Sequence, residues 1–159
     1  MASRGTDGRL DVLPKGDPAG FVQVLDEKTL AIPDRPGNNR LDTFENVLAD
    51  PQIGLIFLIP GNGDTLRISG RARLVRDRAL QARLAVNGKE PQLILVVAVE
   101  QAFMHCPKCI VRSRFWSPEH WPDRATIPTL AEAIMAHARP AESASDVRAF
   151  IEEHNAQLY

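Results

Sequence analysis

The hydrophobic positions of this chain fall into short runs separated by turn residues, which is typical of β-strands. The longest run, at residues 93–103, is mostly apolar rather than alternating, so we expect a central strand that is buried on both faces. Because the runs occur in hairpins and do not alternate regularly with helices, they favour an antiparallel barrel or sheet with peripheral helices. About six strands are predicted, at residues 10–13, 21–25, 29–32, 53–59, 66–75 and 93–103.

Four stretches have a helical pattern. The first has one apolar face and is predicted to run from about residue 39 to residue 49, with Asn38 or Asn39 as its N-cap. It ends before Pro51, because the residue that precedes a proline avoids helical angles. The other predicted helices begin at Asp77, at a capping box formed by Thr129 and Glu132, and at Ser145.

Composition excludes several classes of protein. The chain has 159 residues, of which 44% are hydrophobic and 25% charged, as in an ordinary globular domain. Its net charge of −1 provides no basic field for nucleic acid. No apolar run is long enough to span a membrane, and the first residues lack the apolar core of a signal peptide. We therefore expect a cytoplasmic protein that binds neither nucleic acid nor membranes.

The segment around the first helix start has the chemistry of a phosphate site. Arg35 and Arg40 flank the predicted N-cap, where unpaired backbone N–H groups and the positive end of the helix dipole would point. That combination suits a phosphate group. On local pattern alone, an ordinary capped helix beside two solvated arginines is the favoured explanation of the segment.

Two cysteines stand together as Cys106-Pro107-Lys108-Cys109. Three interpretations remain open: two partly buried thiols that are close by chance, half of a zinc site completed by a second copy, or a redox-active dithiol. His105 comes just before them and is interpreted as a structural hydrogen-bonding residue or, less simply, as a proton carrier.

The order of the motifs resembles an uncharacterised subgroup of the pyridoxamine 5′-phosphate oxidase-like superfamily, the FMN-binding split barrels. Five blocks carry the resemblance, from about residue 8 to residue 118. They are DVLPKGD at 11–17, AIPDRPGNNR at 31–40, LRISGRA at 66–72, HCPK at 105–108 and RSRFW at 112–116. Members of this superfamily usually have a helix and a full strand before the first block, so the chain starts late, is trimmed, or has one short barrel strand.

The resemblance implies a mainly β, α+β fold, an antiparallel split β-barrel, as a homodimer with FMN at the subunit interface. It assigns the ribityl phosphate to Lys15, Arg35, Asn39 and Arg40. The edge of the isoalloxazine ring is assigned to Ile32, Pro33 and Asp34. A contribution from the partner subunit is assigned to Lys108, Arg112, Arg114 and Trp116.

The resemblance also sets the functional expectation. We expect one FMN-binding domain over residues 1–159, with a C-terminal helical extension from about residue 128. The expected activity is that of an FMN-dependent oxidoreductase acting on a small molecule, although the blocks do not identify that substrate. The alternatives are a flavin carrier or sensor without turnover, and a split-barrel protein that uses a deazaflavin or haem.

Overall fold

The computed structural model describes residues 1–37 and 40–156 of the chain. Its contacts divide the chain into two compact units, one comprising Met1–Trp116 and the other beginning at Ser117. The first unit contains a seven-stranded antiparallel sheet, and the second contains two α-helices and two short 3-10 turns. The prediction of a single domain over the whole chain stays a prediction.

The sheet has the spatial order β2-β1-β5-β6-β7-β4-β3, and every neighbouring pair is antiparallel. It is open, because the order runs from an edge at β2 to an edge at β3. The antiparallel split-barrel class is thus confirmed, with seven strands in place of about six. The strands are β1 (Ala2–Arg4), β2 (Leu10–Val12), β3 (Gln23–Asp26), β4 (Thr29–Pro33), β5 (Gln52–Leu58), β6 (Thr65–Val75) and β7 (Ile94–His105).

The additional strand is β1, which lies between β2 and β5. All three of its residues pair with β2, and Ala2 and Ser3 also pair with β5. The amide of Asn46 on the first helix donates hydrogen bonds to Ser3 Oγ at 3.1 Å and to Asp11 Oδ2 at 2.7 Å. The first strand of the sheet is thus short, with three residues. Its polar contacts with the helix compensate for the little apolar surface that three residues can bury.

Strand β7 is buried on both faces only over its first four residues, Ile94–Val97. Leu95 and Val97 belong to one apolar cluster with Leu30, Ile32 and other residues, whereas Ile94 and Val96 belong to a second cluster. From Ala98 to His105 the strand is largely exposed. The predicted burial on both faces is therefore confirmed for Ile94–Val97 and wrong for the rest of the strand, where only Val99 packs partly buried against the first cluster.

Five α-helices occur in the described residues: α1 (Asp42–Ala49), α2 (Arg78–Arg83), α3 (Lys108–Ser113), α4 (Leu130–His137) and α5 (Ala144–Ala156). Asp77 caps α2 and the Thr129–Glu132 capping box begins α4, as predicted. Two predicted helix starts are wrong. Helix α1 has Leu41 as its N-cap, while Asn38 and Asn39 lie outside the described residues. Ser143, rather than Ser145, accepts the hydrogen bond from the Asp146 N–H at 3.2 Å and so caps α5.

A bulge between Ser69 and Gly70 interrupts the pairing of β6 with β7. At this point the two backbones approach so closely that a Cβ atom on Gly70 would lie 2.1 Å from the carbonyl oxygen of Ala98. Only glycine fits here without a backbone shift. Gly70 in the LRISGRA block is therefore required by the packing of the sheet.

Within residues 1–37 and 40–156, no helix combines the length and apolar character that a membrane crossing requires.

Candidate functional site

An open cleft of about 750 Å³ lies where β4 ends and α1 begins. Three loops and the first turn of α1 meet there, because β4 pairs with the buried start of β7 and the loop before β7 therefore runs along the same edge. The wall combines prolines and aromatic residues with four cationic and three acidic side chains. It is formed by residues 13–17, 33–37 and 89–92, together with Phe21, Arg40, Leu41 and Phe44.

Lys15 and Asp34 form an ion pair across the cleft. The ammonium nitrogen of Lys15 lies 3.1 Å from Asp34 Oδ1, and the two side chains are 31% and 28% exposed. Lys15 also lies over the ring of Phe44, 5.8 Å from its centroid. Because both charged groups remain in contact with solvent, this pair contributes little net stability and opens at low cost.

Arg35 is held differently. Its Nε donates to Asp17 Oδ2 at 2.6 Å and its terminal nitrogen donates to the carbonyl oxygen of Leu84 at 2.8 Å. The side chains of Arg35 and Asp17 are 14% and 3% exposed. Breaking a buried pair leaves an uncompensated charge, so this guanidinium is part of the framework that joins the two loops to the end of α2.

Arg40 lies at the rim of the cleft, and its Nε donates to Asp42 Oδ2 at 2.6 Å. This hydrogen bond and the charge of Asp42 raise the pKa of Arg40 above its ordinary value. Asp42 is the first residue of α1, so Arg40 is held beside the N-terminal end of that helix.

The N-terminus of α1 opens into the cleft. Its N-cap, Leu41, provides no side-chain hydrogen bond in the part of the chain that the structure describes, and the first-turn amides of Phe44 and Glu45 use the Leu41 carbonyl oxygen. The preceding amide groups of the first turn have no partner within the helix itself. Asp42 and Glu45 supply negative charge in this turn, but the helix end still presents N–H donors toward the same space as Lys15 and Arg40.

Lys89 is a cleft residue that sequence reasoning missed. It follows Asn87 and Gly88, which both have positive φ angles and form the tight turn between Val86 and Lys89. The Asn-Gly pair signals such a turn, since both central residues of this turn type require positive φ angles. The sequence does not reveal, however, that this turn borders the same cleft as the loop that carries Lys15.

The structure separates the predicted site residues into three groups. Lys15, Pro33, Asp34, Arg35 and Arg40 line the cleft. The side chain of Ile32 packs in the core, where it is 4% exposed, and it does not line the cleft. Asn39 lies outside the described residues. The remaining four, Lys108, Arg112, Arg114 and Trp116, are on or just after α3.

Helix α3 lies at the opposite end of the sheet. Pro33 at the cleft pairs with Ile94, whereas α3 follows His105, which pairs with Thr65. The two ends of β7 are eleven residues apart, or roughly 36 Å at about 3.3 Å per residue. The indole N–H of Trp116 donates to the carbonyl oxygen of Asn62 at 2.7 Å and so holds this segment against the loop between β5 and β6. One copy of the chain therefore does not bring α3 to its own cleft.

Cys106 and Cys109 are free and exposed, so the interpretation as partly buried thiols is wrong. His105 is also exposed, with its ring 5.9 Å from that of Phe103. Among residues 1–37 and 40–156, no group of three or more His, Cys, Asp or Glu side chains is arranged to hold a metal ion.

The sequence profile of the pyridoxamine 5′-phosphate oxidase family matches residues 1–106, which include all seven strands and every residue that lines the cleft. The chain belongs to this family. Membership confirms the resemblance on which the predicted site depends. The matched region ends just before α3, so the family profile covers the cleft residues and leaves the α3 residues outside it.

Solved structures agree on the fold of this family member. A variant of HupZ from Group A Streptococcus superposes with a TM-score of 0.53 at 18% identity, covering 65% of this chain and 86% of the other. A second HupZ structure gives a TM-score of 0.52 at 17% identity, covering 65% and 80%. At these identities the similarity concerns the fold alone. No functionally curated protein matches the sequence.

Proposed function

We propose that this chain binds FMN with the phosphate at the N-terminal end of α1, and that it is an oxidoreductase acting on a small molecule. The observation that carries the proposal is the α1 N-terminus, which lacks a side-chain cap in the described residues and opens beside Lys15 and Arg40. It does so in a chain of the pyridoxamine 5′-phosphate oxidase family. Flavin would supply the redox chemistry, and the protein would bind and orient it.

The donors of the cleft fit a phosphate monoester. Such a group carries close to two negative charges at neutral pH and accepts several hydrogen bonds. Lys15 and Arg40 provide charged donors, and the first turn of α1 provides backbone N–H groups. Arg can bind the phosphate through two parallel hydrogen bonds, whereas Lys acts as a compact charge.

The carboxylates around the cleft determine which cations are available to bind the phosphate. Asp34 and Asp42 are the partners that a phosphate would replace on Lys15 and Arg40, and both pairs are solvent-accessible. Lys15 and Arg40 can therefore exchange their aspartates for a phosphate at little cost in free energy. Arg35 remains with buried Asp17 and acts as a positioning residue for the loop. Asn39 stays a predicted phosphate ligand.

The ring of the flavin would extend from this phosphate along Pro33 and Asp34, as the resemblance implies. Both residues line the cleft, and the Asp34 N–H donates to the carbonyl oxygen of Leu93 at 3.0 Å, which fixes the backbone at the end of β4. Ile32 pairs with Leu95 in the sheet, and its buried side chain supports this segment from behind.

The proposal includes a homodimer, because only a second copy brings the α3 residues to a cleft. The exposed half of the sheet offers a surface for such a contact. Ile56, Arg67 and Phe103 lie side by side through the pairing of β5, β6 and β7, and Ile56 and Phe103 are 55% and 39% exposed. The guanidinium of Arg67 lies 5.1 Å from the centroid of the Phe103 ring.

The test is a titration of FMN with purified protein, followed by quenching of flavin fluorescence. We expect Lys15→Ala and Arg40→Ala each to weaken binding by about 1.5–3 kcal/mol, the usual range for a hydrogen bond to a charged group, or roughly 10- to 100-fold. Lys28→Ala is the matched control, because Lys28 is an exposed lysine in the β3–β4 turn outside the cleft.

Four outcomes would change the proposal. The absence of quenching by the wild-type chain would overturn it. Equal FMN affinities for the Lys15, Arg40 and Lys28 variants would mean that the phosphate binds elsewhere. Mass spectrometry of the cofactor released from freshly purified protein distinguishes FMN from a deazaflavin, which the same phosphate donors would accept. Binding without reduction by NADH or NADPH and without oxidase activity would favour a flavin carrier or sensor.

A further inference from the structure

The two cysteines beside α3 have no role in the proposed flavin site. They are the only cysteines in the sequence, and both are free and exposed. Cys106 directly follows β7, Pro107 is the N-cap of α3, and Cys109 is the second residue of that helix. We infer that Cys106 and Cys109 form a reversible dithiol–disulfide couple that exchanges with low-molecular-weight, anionic disulfides.

The backbone already has the shape that this disulfide needs. Pro107 has φ −75° and ψ 0°, and Lys108 is helical, so residues 106–109 form a single right-handed turn. A turn of four residues brings its first and last Cα atoms within about 7 Å. A disulfide requires a Cα–Cα distance of about 4.4–6.8 Å. The two sulfur atoms can therefore join with little movement of the backbone.

The turn is held on a fixed support. A Cβ atom on Gly63 would lie 2.7 Å from the Cβ atom of Pro107, so this proline is seated directly against the β5–β6 loop. The Val111 N–H donates to the carbonyl oxygen of Pro107 at 2.9 Å, and Trp116 is bonded to Asn62 of the same loop. A fixed turn gives each thiol a high effective concentration for the other, which favours the intramolecular disulfide over a stable mixed disulfide.

The charges around the cysteines select the exchange partner. Residues 101–116 contain Lys108, Arg112 and Arg114 and no Asp or Glu. In the described part of the chain these three cations form no ion pair. A disulfide with carboxylate groups is attracted to this surface, whereas one with ammonium groups is repelled.

The exchange has two balanced steps. One cysteine thiolate attacks a sulfur atom of the disulfide RSSR, which forms a mixed disulfide and releases RS⁻, and this group takes up a proton. The second cysteine thiolate then attacks the protein sulfur of the mixed disulfide and releases a second RSH. In total the two protein thiols lose two electrons and two protons, and RSSR is reduced to two RSH.

The experiment exposes the full chain to buffers with graded ratios of glutathione to glutathione disulfide. Remaining thiols are then blocked by alkylation and the intact mass is measured. We expect a single transition in which both alkylation sites disappear together and the unmodified chain has lost two hydrogen atoms. Cys106→Ser and Cys109→Ser should instead accumulate one glutathione on the remaining cysteine. Because both positions are exposed, we expect both variants to fold, which circular dichroism checks.

Other outcomes overturn the inference. They are a wild-type chain that accumulates one or two glutathiones without losing two hydrogens, a disulfide-linked dimer on a non-reducing gel, and stoichiometric zinc that protects both thiols from alkylation. Oxidation by the cationic disulfide cystamine that is as fast as oxidation by glutathione disulfide would overturn the charge selection. The thiol–disulfide exchange needs no flavin. Failure of this inference can therefore be distinguished from failure of the FMN proposal, which the titration tests.

Discussion

At its cleft end strand β7 is buried on both faces, whereas at the α3 end the same strand is exposed. Ile94–Val97 contact two apolar clusters, one on each face of the sheet, and α1 and α2 each contribute to one of them. From Ala98 onward most residues of the strand are exposed, among them the large apolar side chains of Phe103 and Met104, and only Val99 packs partly buried against the first cluster. The cleft end is therefore the stable framework, and the exposed α3 end has the character of an interaction surface.

The charges differ between the two ends in the same way. Lys15, Arg35 and Arg40 at the cleft are each paired with an aspartate. The cations of α3 form no ion pair within the described residues. An anion that enters the cleft must therefore replace a carboxylate, while one that meets α3 need not. The three aspartates therefore balance the charge of these cleft cations in the absence of a ligand.

The largest expected effect is on the stability of the cleft framework. Arg35→Leu removes the cation that pairs with the buried carboxylate of Asp17, together with the hydrogen bond to the Leu84 carbonyl oxygen. We expect the free energy of unfolding to fall by about 3–5 kcal/mol, which urea denaturation would measure. Arg40→Leu is the matched control, since Arg40 is an exposed arginine on the same cleft, and its stability should stay close to that of the wild type.

The double variant Asp17→Leu with Arg35→Leu tests the cause. Because it removes both buried charges, it should recover a substantial part of the stability lost in the single variant. A single variant as stable as the control would mean that Arg35 is not part of the framework, and it would then return to the group of candidate phosphate ligands.

The next largest effect concerns the connection between the two ends. Gly70→Ala places a Cβ atom 2.1 Å from the Ala98 carbonyl oxygen, so β6 and β7 must separate at the bulge. We expect a loss of about 3 kcal/mol in the free energy of unfolding, at the upper end for overpacked sites. Gly54→Ala on β5 is the control, because its Cβ atom would make only an ordinary contact at 3.9 Å with Ala2. Equal stability of the two variants would show that the bulge can relax.

Much of the fold could be predicted from the sequence, because hairpin signals and capping residues act locally. The β3–β4 hairpin, the Asp77 cap and the Thr129–Glu132 box depend on neighbours in the chain, and the structure contains all three. The start of α1 was missed because an Asn pair resembles an N-cap, whereas helical hydrogen bonding begins at the Leu41 carbonyl oxygen. Strand β1 was missed because three residues give no periodicity.

The candidate site could be predicted only in part, because its geometry depends on contacts between distant segments. The motif order identified Lys15, Arg35 and Arg40, which do line one cleft. The sequence gives no sign that Asp17 is the buried partner of Arg35 or that Lys89 borders the cleft, since both facts depend on how loops fold against each other. The separation of α3 from the cleft follows from the length and register of β7, which no local pattern reveals.

The smallest expected effect tests whether the cleft of one copy and the α3 residues of a second copy form one FMN site. Arg40→Ala damages the cleft and Arg112→Ala damages the α3 side, so homodimers of either variant should bind FMN weakly. In an equal mixture that has exchanged subunits, half of the dimers contain one copy of each variant. One of the two sites in such a dimer is intact, so about a quarter of all sites should regain affinity.

The control for this mixture is a second one that pairs Lys15→Ala with Arg40→Ala. Both changes lie in the same cleft, so every site in every dimer keeps one defect and mixing should restore nothing. Fluorescence quenching at a fixed FMN concentration compares the two mixtures with their unmixed components. If the first mixture also binds no better than the average of its components, the α3 cations do not act on the partner's cleft. The proposed site would then consist of the cleft alone, and the exposed end of β7 would need a different explanation.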